Sequence, residues 1–321
     1  MFKILLFIYA SLCISLVACD IPTQESDVTE AGPVARSFVT VVGIAQDAGF
    51  PQANCKKSCC AEVWSDPSKR RMVSSIAVVD TPSQKFWLID ATPDFKDQLQ
   101  LLTDLLGSNY ELAGVFLTHA HIGHYTGLMH LGLEVMGTKD LPVYAMPRMS
   151  SFLSTHGPWS QLVELQNISL RPLQSDSAIV VEEGLLITPF LVPHRDEFSE
   201  TVGYRIHTES KSLIFIPDID KWDKWSRDIT EEVSRNDYAL LDASFYKNGE
   251  IPYRDMSQIP HPFVEETMEI FAKADVSVRN KINFIHLNHT NPLLQSDSEE
   301  RAEIKTQGYQ VCYEGQVFSL D

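Results

Sequence analysis

The sequence predicts a single α/β domain running from residue 38 to residue 321, its strands buried by helices on both outer faces. Three observations carry this expectation. Strand-like runs alternate with helix-like runs along the whole stretch. No internal repeat, low-complexity tract or linker interrupts it after Ser37. Histidines and carboxylates recur just past the strand-like runs, where loops gather groups from distant parts of a chain.

The elements follow in order. Residues 38–45, 73–80 and 85–91 are short and rich in β-branched and aromatic residues, as buried strands are. Residues 94–106 (DFKDQLQLLTDLL) space their apolar side chains at helical intervals. Residues 112–118 form the next strand and lead directly into His119-Ala120-His121-Ile122-Gly123-His124. Further strands are expected at 141–145, 185–192, 202–206, 213–216, 238–241, 281–287 and 309–313. Helices are expected within 126–136, 221–234, 263–274 and 298–306.

Residues 1–18 read as an export signal rather than as part of the fold. Lys3 is a short positive start, residues 4–17 are an apolar run too short to span a bilayer comfortably, and Leu16-Val17-Ala18-Cys19 has the form of a bacterial lipobox. Cleavage before Cys19 would free that thiol for acylation; an ordinary secretory signal with an incidental cysteine is the plainer alternative. Residues 19–37 are polar, contain two prolines and show no period, so they read as a lipid-anchored cysteine and its tether. The expected location is the bacterial cell envelope, facing the periplasm, with the membrane met only through the lipid.

A hydrophobic share of 44% and a charged share of 21% are ordinary for a globular chain, so disorder is not the default. The formal net charge of −17, without a Lys/Arg stripe to reverse it locally, argues against nucleic acid as a partner and leaves a small-molecule substrate as the expectation. Of the six cysteines, Cys13 and Cys19 belong to the signal and Cys312 stands alone, whereas Cys55, Cys59 and Cys60 crowd into one short loop. A disulfide is the default outside the cytoplasm. Three thiols in one loop cannot all pair with each other, so metal ligation competes with it.

His119-x-His121-x-x-His124 after a strand is the strongest chemical signal, because an extended segment can aim alternate imidazoles at one point and neutral imidazole ligates zinc or iron. Three histidines on a polar loop would mean little alone. Val192-Pro193-His194, Ile216-Pro217-Asp218 and Ile285-His286 each add a candidate ligand just past another strand-like run.

In that order the sequence resembles the metallo-β-lactamase superfamily, which carries HxHxDH after a strand, then a His, an Asp and a His. Within it, GFPQANC at 49–55 and FIHLNHTNP at 284–292 resemble the pyrroloquinoline-quinone biosynthesis protein B family, and the layout is similar to the cyclic-phosphodiester hydrolases of phosphonate breakdown. The resemblance implies an αββα sandwich. It implies that His119, His121 and His194 hold one ion, that Asp218 bridges, and that His124, Asp218 and His286 serve a second. The superfamily's Asp falls on Gly123, which cannot ligate, so the second site is expected to lack one ligand. Asp220 is a candidate substitute, although alternation along an extended segment suits a solvated Asp equally. Cys55, Cys59 and Cys60 with His289 match a structural zinc of the phosphodiesterase relatives, though two adjacent cysteines are awkward for one tetrahedral ion. His261, set between prolines, corresponds in order to those hydrolases' proton donor; the same prolines suit a plain turn. Asp242 reads as support behind a ligand. Arg195, Glu197 and Glu200 are candidates for the substrate mouth or simply solvated loop charges.

The expected function is a metal-dependent hydrolase that opens a small phosphodiester, lactone or amide with metal-activated water, Asp218 orienting the nucleophile and His261 protonating the leaving group. The expected cofactor is zinc, one or two ions at the active site and one structural, with iron as the alternative ion. Two rival readings accompany it: an iron-dependent oxygenase or quinone-biosynthesis or transport protein, and a non-enzymatic envelope binding protein.

Overall fold

The computed structural model describes residues 35–321; the expected signal segment, Cys19 and the tether up to residue 34 lie outside the described residues. Strands β1 (Ser37–Gly43), β2 (Ser75–Asp80), β3 (Lys85–Ile89), β4 (Glu111–Phe116), β5 (Leu141–Ala145) and β6 (Ile168–Pro172) follow one another across a first sheet. A second sheet contains β7 (Ile179–Glu182), β8 (Leu185–Leu191), β9 (Val202–His207), β10 (Ser212–Ile216), β11 (Tyr238–Asp242), β12 (Ile282–Ile285) and β13 (Gln310–Val311). The last strand, β14 (Val317–Ser319), returns to the first sheet beside β1.

The pleat explains how the first sheet is covered on both sides. Along β1 to β3, Val39, Val41, Ile76, Val78, Trp87 and Ile89 belong to the core between the sheets, with Tyr204, Ile214, Ile216, Leu240 and Phe284 from the second sheet. The alternate residues Phe38, Val42, Ala77, Val79, Phe86 and Leu88 face outward and are buried with Phe95 and Leu102 of α2 (Phe95–Leu106). Burial on both faces is why these strands read as continuous apolar runs rather than as strict alternations. The architecture is an αββα sandwich.

Strand direction places the site. β1 and β3 both run antiparallel to β2 while β4 is parallel to β3, so β1 and β4 end at the same edge of the first sheet. β10, β11 and β12 are mutually parallel, and β8 runs with them because β9 opposes both β8 and β10. The isolated bridge between Ala45 and Leu287 joins the extensions of β1 and β12 across the sandwich.

Several elements depart from expectation. The helix expected within 126–136 is a run of 3₁₀ turns, Thr126–Leu131, and the one within 221–234 splits into a 3₁₀ turn, Trp222–Lys224, and a short α-helix, Ile229–Arg235. β6, β7 and β14 went unread because each is short and half-exposed, with no run of buried apolar residues. Helix α1 (Ser58–Ser65) was masked by its cysteines. Among the described residues no helix is long and apolar enough to cross a membrane.

Candidate metal centre

β4 delivers His119 and His121 to the carboxyl edge on an extended segment, and the short helix α3 (Ile122–Tyr125) then turns His124 back beneath them. β8 supplies His194, β10 supplies Asp218 and β12 supplies His286, each within three residues of its strand's end. His286 has φ of 63° and Asp90, just past β3, has φ of 73°; both are left-handed conformations that a side chain with Cβ adopts at a cost, held here in the site.

His119, His121 and His194 present ring nitrogens that lie within 4.8 Å of one another. Thr118 Oγ1 donates its hydrogen to Asp90 and therefore accepts from His119 Nδ1 at 2.9 Å, which leaves His119 Nε2 as a lone pair aimed inward. His121 Nε2 meets Glu197 Oε2 at 3.1 Å, so its Nδ1 is the atom that faces His119 Nε2, at 2.8 Å. Both ring nitrogens of His194 are buried without a hydrogen-bond partner. Burial and the neighbouring His124 push the His119 imidazole well below its usual pKa, and burial takes His194 down to about 4. Three imidazoles converging on one point, two of them held neutral by burial and one with no hydrogen-bond partner, are a cation site by their donor chemistry.

Asp218 lies between this set and a second one. Its Oδ2 is 3.5 Å from His119 Nε2, 2.9 Å from His124 Nε2 and 3.3 Å from His286 Nε2, while its Oδ1 is 3.8 Å from His194 Nε2 and 3.3 Å from His261 Nδ1. Burial would raise its carboxyl pKa, but the imidazoles of His286, His124 and His194 hold it well below the usual range. His124 donates Nδ1–H to Asp90 at 2.7 Å, and His286 Nδ1 meets Ser244 Oγ at 2.9 Å, so each keeps Nε2 for the interior. Those two Nε2 atoms are buried and unpartnered.

The structure overturns the expectation that the second set lacks a carboxylate. Asp47, four residues past β1, brings Oδ1 to 3.2 Å from His124 Nε2 and completes a group of Asp47, His124, Asp218 and His286. Asp220 does not take that part: its carboxylate accepts from Lys221 N and from Lys224 Nζ at 2.9 Å. Sequence reading passed over Asp47, Asp90, Thr118 and Ser244. The signal was available for Asp47, which follows a strand-like run as the recognised ligands do, but no imidazole marks it; Asp90 lay hidden inside the run expected at 85–91.

His261 is buried beside both sets, with Nδ1 at 2.8 Å from Asp242 Oδ2. Asp242 is fixed in turn by Ser244 N and Oγ and by Ile219 N. Burial would lower the His261 pKa, yet the charge of Asp242, with Asp218 and Asp47 behind it, raises it above the usual value. Arg195 and His261 line a cleft of about 460 Å³ with Arg254, Phe245 and Gln258. Glu200 is turned away and accepts the backbone N–H of Arg148.

Cys55, Cys59, Cys60 and His289 form a separate group. Cys55 and Cys59 sulfurs stand 3.9 Å apart, Cys59 and Cys60 4.0 Å, and His289 Nδ1 is 3.6 and 3.4 Å from the latter two. A tetrahedral zinc with ordinary bond lengths separates two sulfurs by about 3.8 Å and a sulfur from a nitrogen by about 3.5 Å. The adjacent cysteines that looked awkward in sequence sit in the first turn of α1, where helical rotation splays their side chains.

Two mixed sheets between helices, with ligand-type side chains gathered at one carboxyl edge, define a metallo-β-lactamase-fold protein. A family model described as the beta-lactamase superfamily domain matches residues 87–287, and the chain belongs to that family. It is similar to coenzyme PQQ synthesis protein B of Methylorubrum extorquens strain PA1, 26% identical over 310 residues covering 88% of this chain and 99% of the relative. The protein of the same name from Methylorubrum populi is 28% identical over 312 residues, with 88% and 99% covered. Among solved structures, a Zn(2+)-bound PqqB from Methylobacterium extorquens superposes with a TM-score of 0.72 at 24% identity, covering 88% of this chain and 99% of that one. A diphosphatase from the PhnP family gives 0.64 at 23% identity, covering 88% and 96%.

Proposed function

We propose that the chain is a zinc-dependent hydrolase of a small anionic ester, a phosphodiester first among the candidates. The observation that carries this reading is the juxtaposition of the buried, neutral imidazoles of His119 and His194 and the partly exposed His121 with a bridging Asp218 and an acid-type His261 that lines the cleft. A divalent ion in the three-imidazole set supplies Lewis acidity and lowers the pKa of its water to ~7. The zinc-bound relative and the diphosphatase relative support the choice of ion and of ester.

The protein's own groups do the rest. Asp218 Oδ2 faces three imidazoles and orients what lies between them. Asp242 keeps a proton on His261 Nδ1, and the raised pKa keeps the ring charged closer to neutrality, so that it can yield a proton to a leaving oxygen. Arg195 and Arg254 offer the cleft positive charge on an otherwise acidic molecule, which favours a phosphate over a neutral lactone or amide. The Leu16-Val17-Ala18-Cys19 motif supports a place in the cell envelope for this activity.

The test is turnover of a chromogenic phosphodiester with elemental analysis, with and without oxygen. His121→Ala should lose one ion and all turnover, whereas His261→Ala should keep its ions and slow by ~10²–10⁴. Bound iron with turnover that demands oxygen would replace the hydrolase by the oxygenase reading.

A further inference from the structure

Gly123 stands where a carboxylate is expected, and the structure shows what excludes it. Its backbone does not take a positive φ, so glycine is not there for conformational freedom. A Cβ built on it would lie 2.5 Å from Asp47 Cα and closer still to that residue's carboxylate. The space a ligand at 123 would use is therefore filled by Asp47, arriving from the other end of the domain.

We infer that Asp47 is a ligand of the second metal ion, taking from the β1 loop the part that position 123 has given up. This rests on the reading of the centre as a metal site. Asp47 Oδ1 lies 3.2 Å from His124 Nε2 and 4.0 Å from His286 Nε2, and Asp218 Oδ2 lies 2.9 and 3.3 Å from the same two atoms. Ligands around a tetrahedral ion with zinc–nitrogen and zinc–oxygen bonds stand about 3.3 Å apart. Asp47 Oδ1, His124 Nε2 and His286 Nε2 are all buried atoms without hydrogen-bond partners, and both histidines are fully enclosed. Two carboxylates and two imidazoles, three of whose inward atoms have no hydrogen-bond partner, are a donor set for a hard-to-borderline divalent cation.

The backbone is built to hold Asp47 there. Gln46 N donates to Leu287 O at 2.9 Å and Leu287 N donates to Ile44 O at 2.8 Å, so the residues before Asp47 and after His286 are locked as parallel neighbours. Position 123 must then stay without a side chain. The pair Asp47 and Gly123 is one device: a carboxylate gained at one place requires a side chain lost at the other.

Zinc content and affinity decide this, measured on purified full-length protein by elemental analysis and by chelator competition after stripping. Asp47→Asn keeps volume but removes the anionic ligand, and should bind one ion fewer, or bind it weaker by more than the ~10–100-fold that loss of an outer partner costs. Gly123→Ala removes no ligand, yet should weaken the same ion because its methyl group displaces Asp47. His121→Ala marks the first ion for comparison. If either Asp47→Asn or Gly123→Ala folds and binds all ions as wild type does, the assignment of Asp47 is wrong while the centre stands. If wild type loses nothing on His121→Ala, the metal-centre reading itself falls, and this inference with it.

Discussion

At the scale of single residues, the site gives four of its imidazoles one outward partner and one inward ring nitrogen, while both nitrogens of His194 stay unpartnered. His119 leans on Thr118, His124 on Asp90, His286 on Ser244 and His121 on Glu197. A hydrogen bond at one ring nitrogen sets the tautomer and frees the other. His261 differs, because its partner Asp242 is a carboxylate that favours the charged ring. An acid works while protonated, so turnover should fall as pH rises through the raised His261 pKa. In Asp242→Asn the largest favourable charge is gone, Asp218 and Asp47 alone oppose burial, and the His261 pKa falls. The alkaline limb of the kcat profile should then move to lower pH with zinc content unchanged. An unmoved limb would remove His261 from the role of acid.

At the scale of elements, the loop from β1 through α1 and the loop after β12 are held together at two levels. Asp47 and His286 meet in the centre, and Cys55, Cys59, Cys60 and His289 meet a few residues further along the same two loops. Burial pushes the Cys60 thiol up to about 12, so ionised sulfur needs a cation beside it. A structural ion there would clamp the two loops and carry folding free energy. Cys55→Ser is expected to lose one zinc per chain. A stability loss of ~3 kcal/mol would lower Tm by roughly 5 °C in a domain of this size, whose unfolding entropy is about 2.1 cal/mol/K per residue. Thermal melts and elemental analysis check this, and a disulfide among these cysteines in the native protein, seen by mass spectrometry, would contradict it.

At the scale of the whole molecule, a net charge of −17 disfavours polyanions as partners, and under the proposed function Arg195 and Arg254 in the cleft would attract small anions. The proposed anchor would confine the proposed activity to a membrane surface. Cys19→Ser should abolish incorporation of labelled fatty acid and leave the signal segment uncleaved; labelling equal to wild type would retire the lipid anchor.

The sequence by itself determined an α/β domain with helices on both outer faces, because continuous apolar strands separated by helices must bury both faces, and its resemblance to a known superfamily implied the sandwich. It also determined the imidazoles, since histidines at strand ends are rare enough to stand out, and His119, His121, His194, Asp218, His124 and His286 do meet at one edge of the fold. The short edge strands were illegible, for an edge needs only one buried face and shows little pattern. Tertiary structure alone decided the fate of the second carboxylate. Local reading could see that Gly123 has no side chain but not that Asp47, 76 positions earlier, occupies the vacated volume. A ligand is specified by where its oxygen lies in space, and strand pairing across the sandwich, between Ala45 and Leu287, sets that position here.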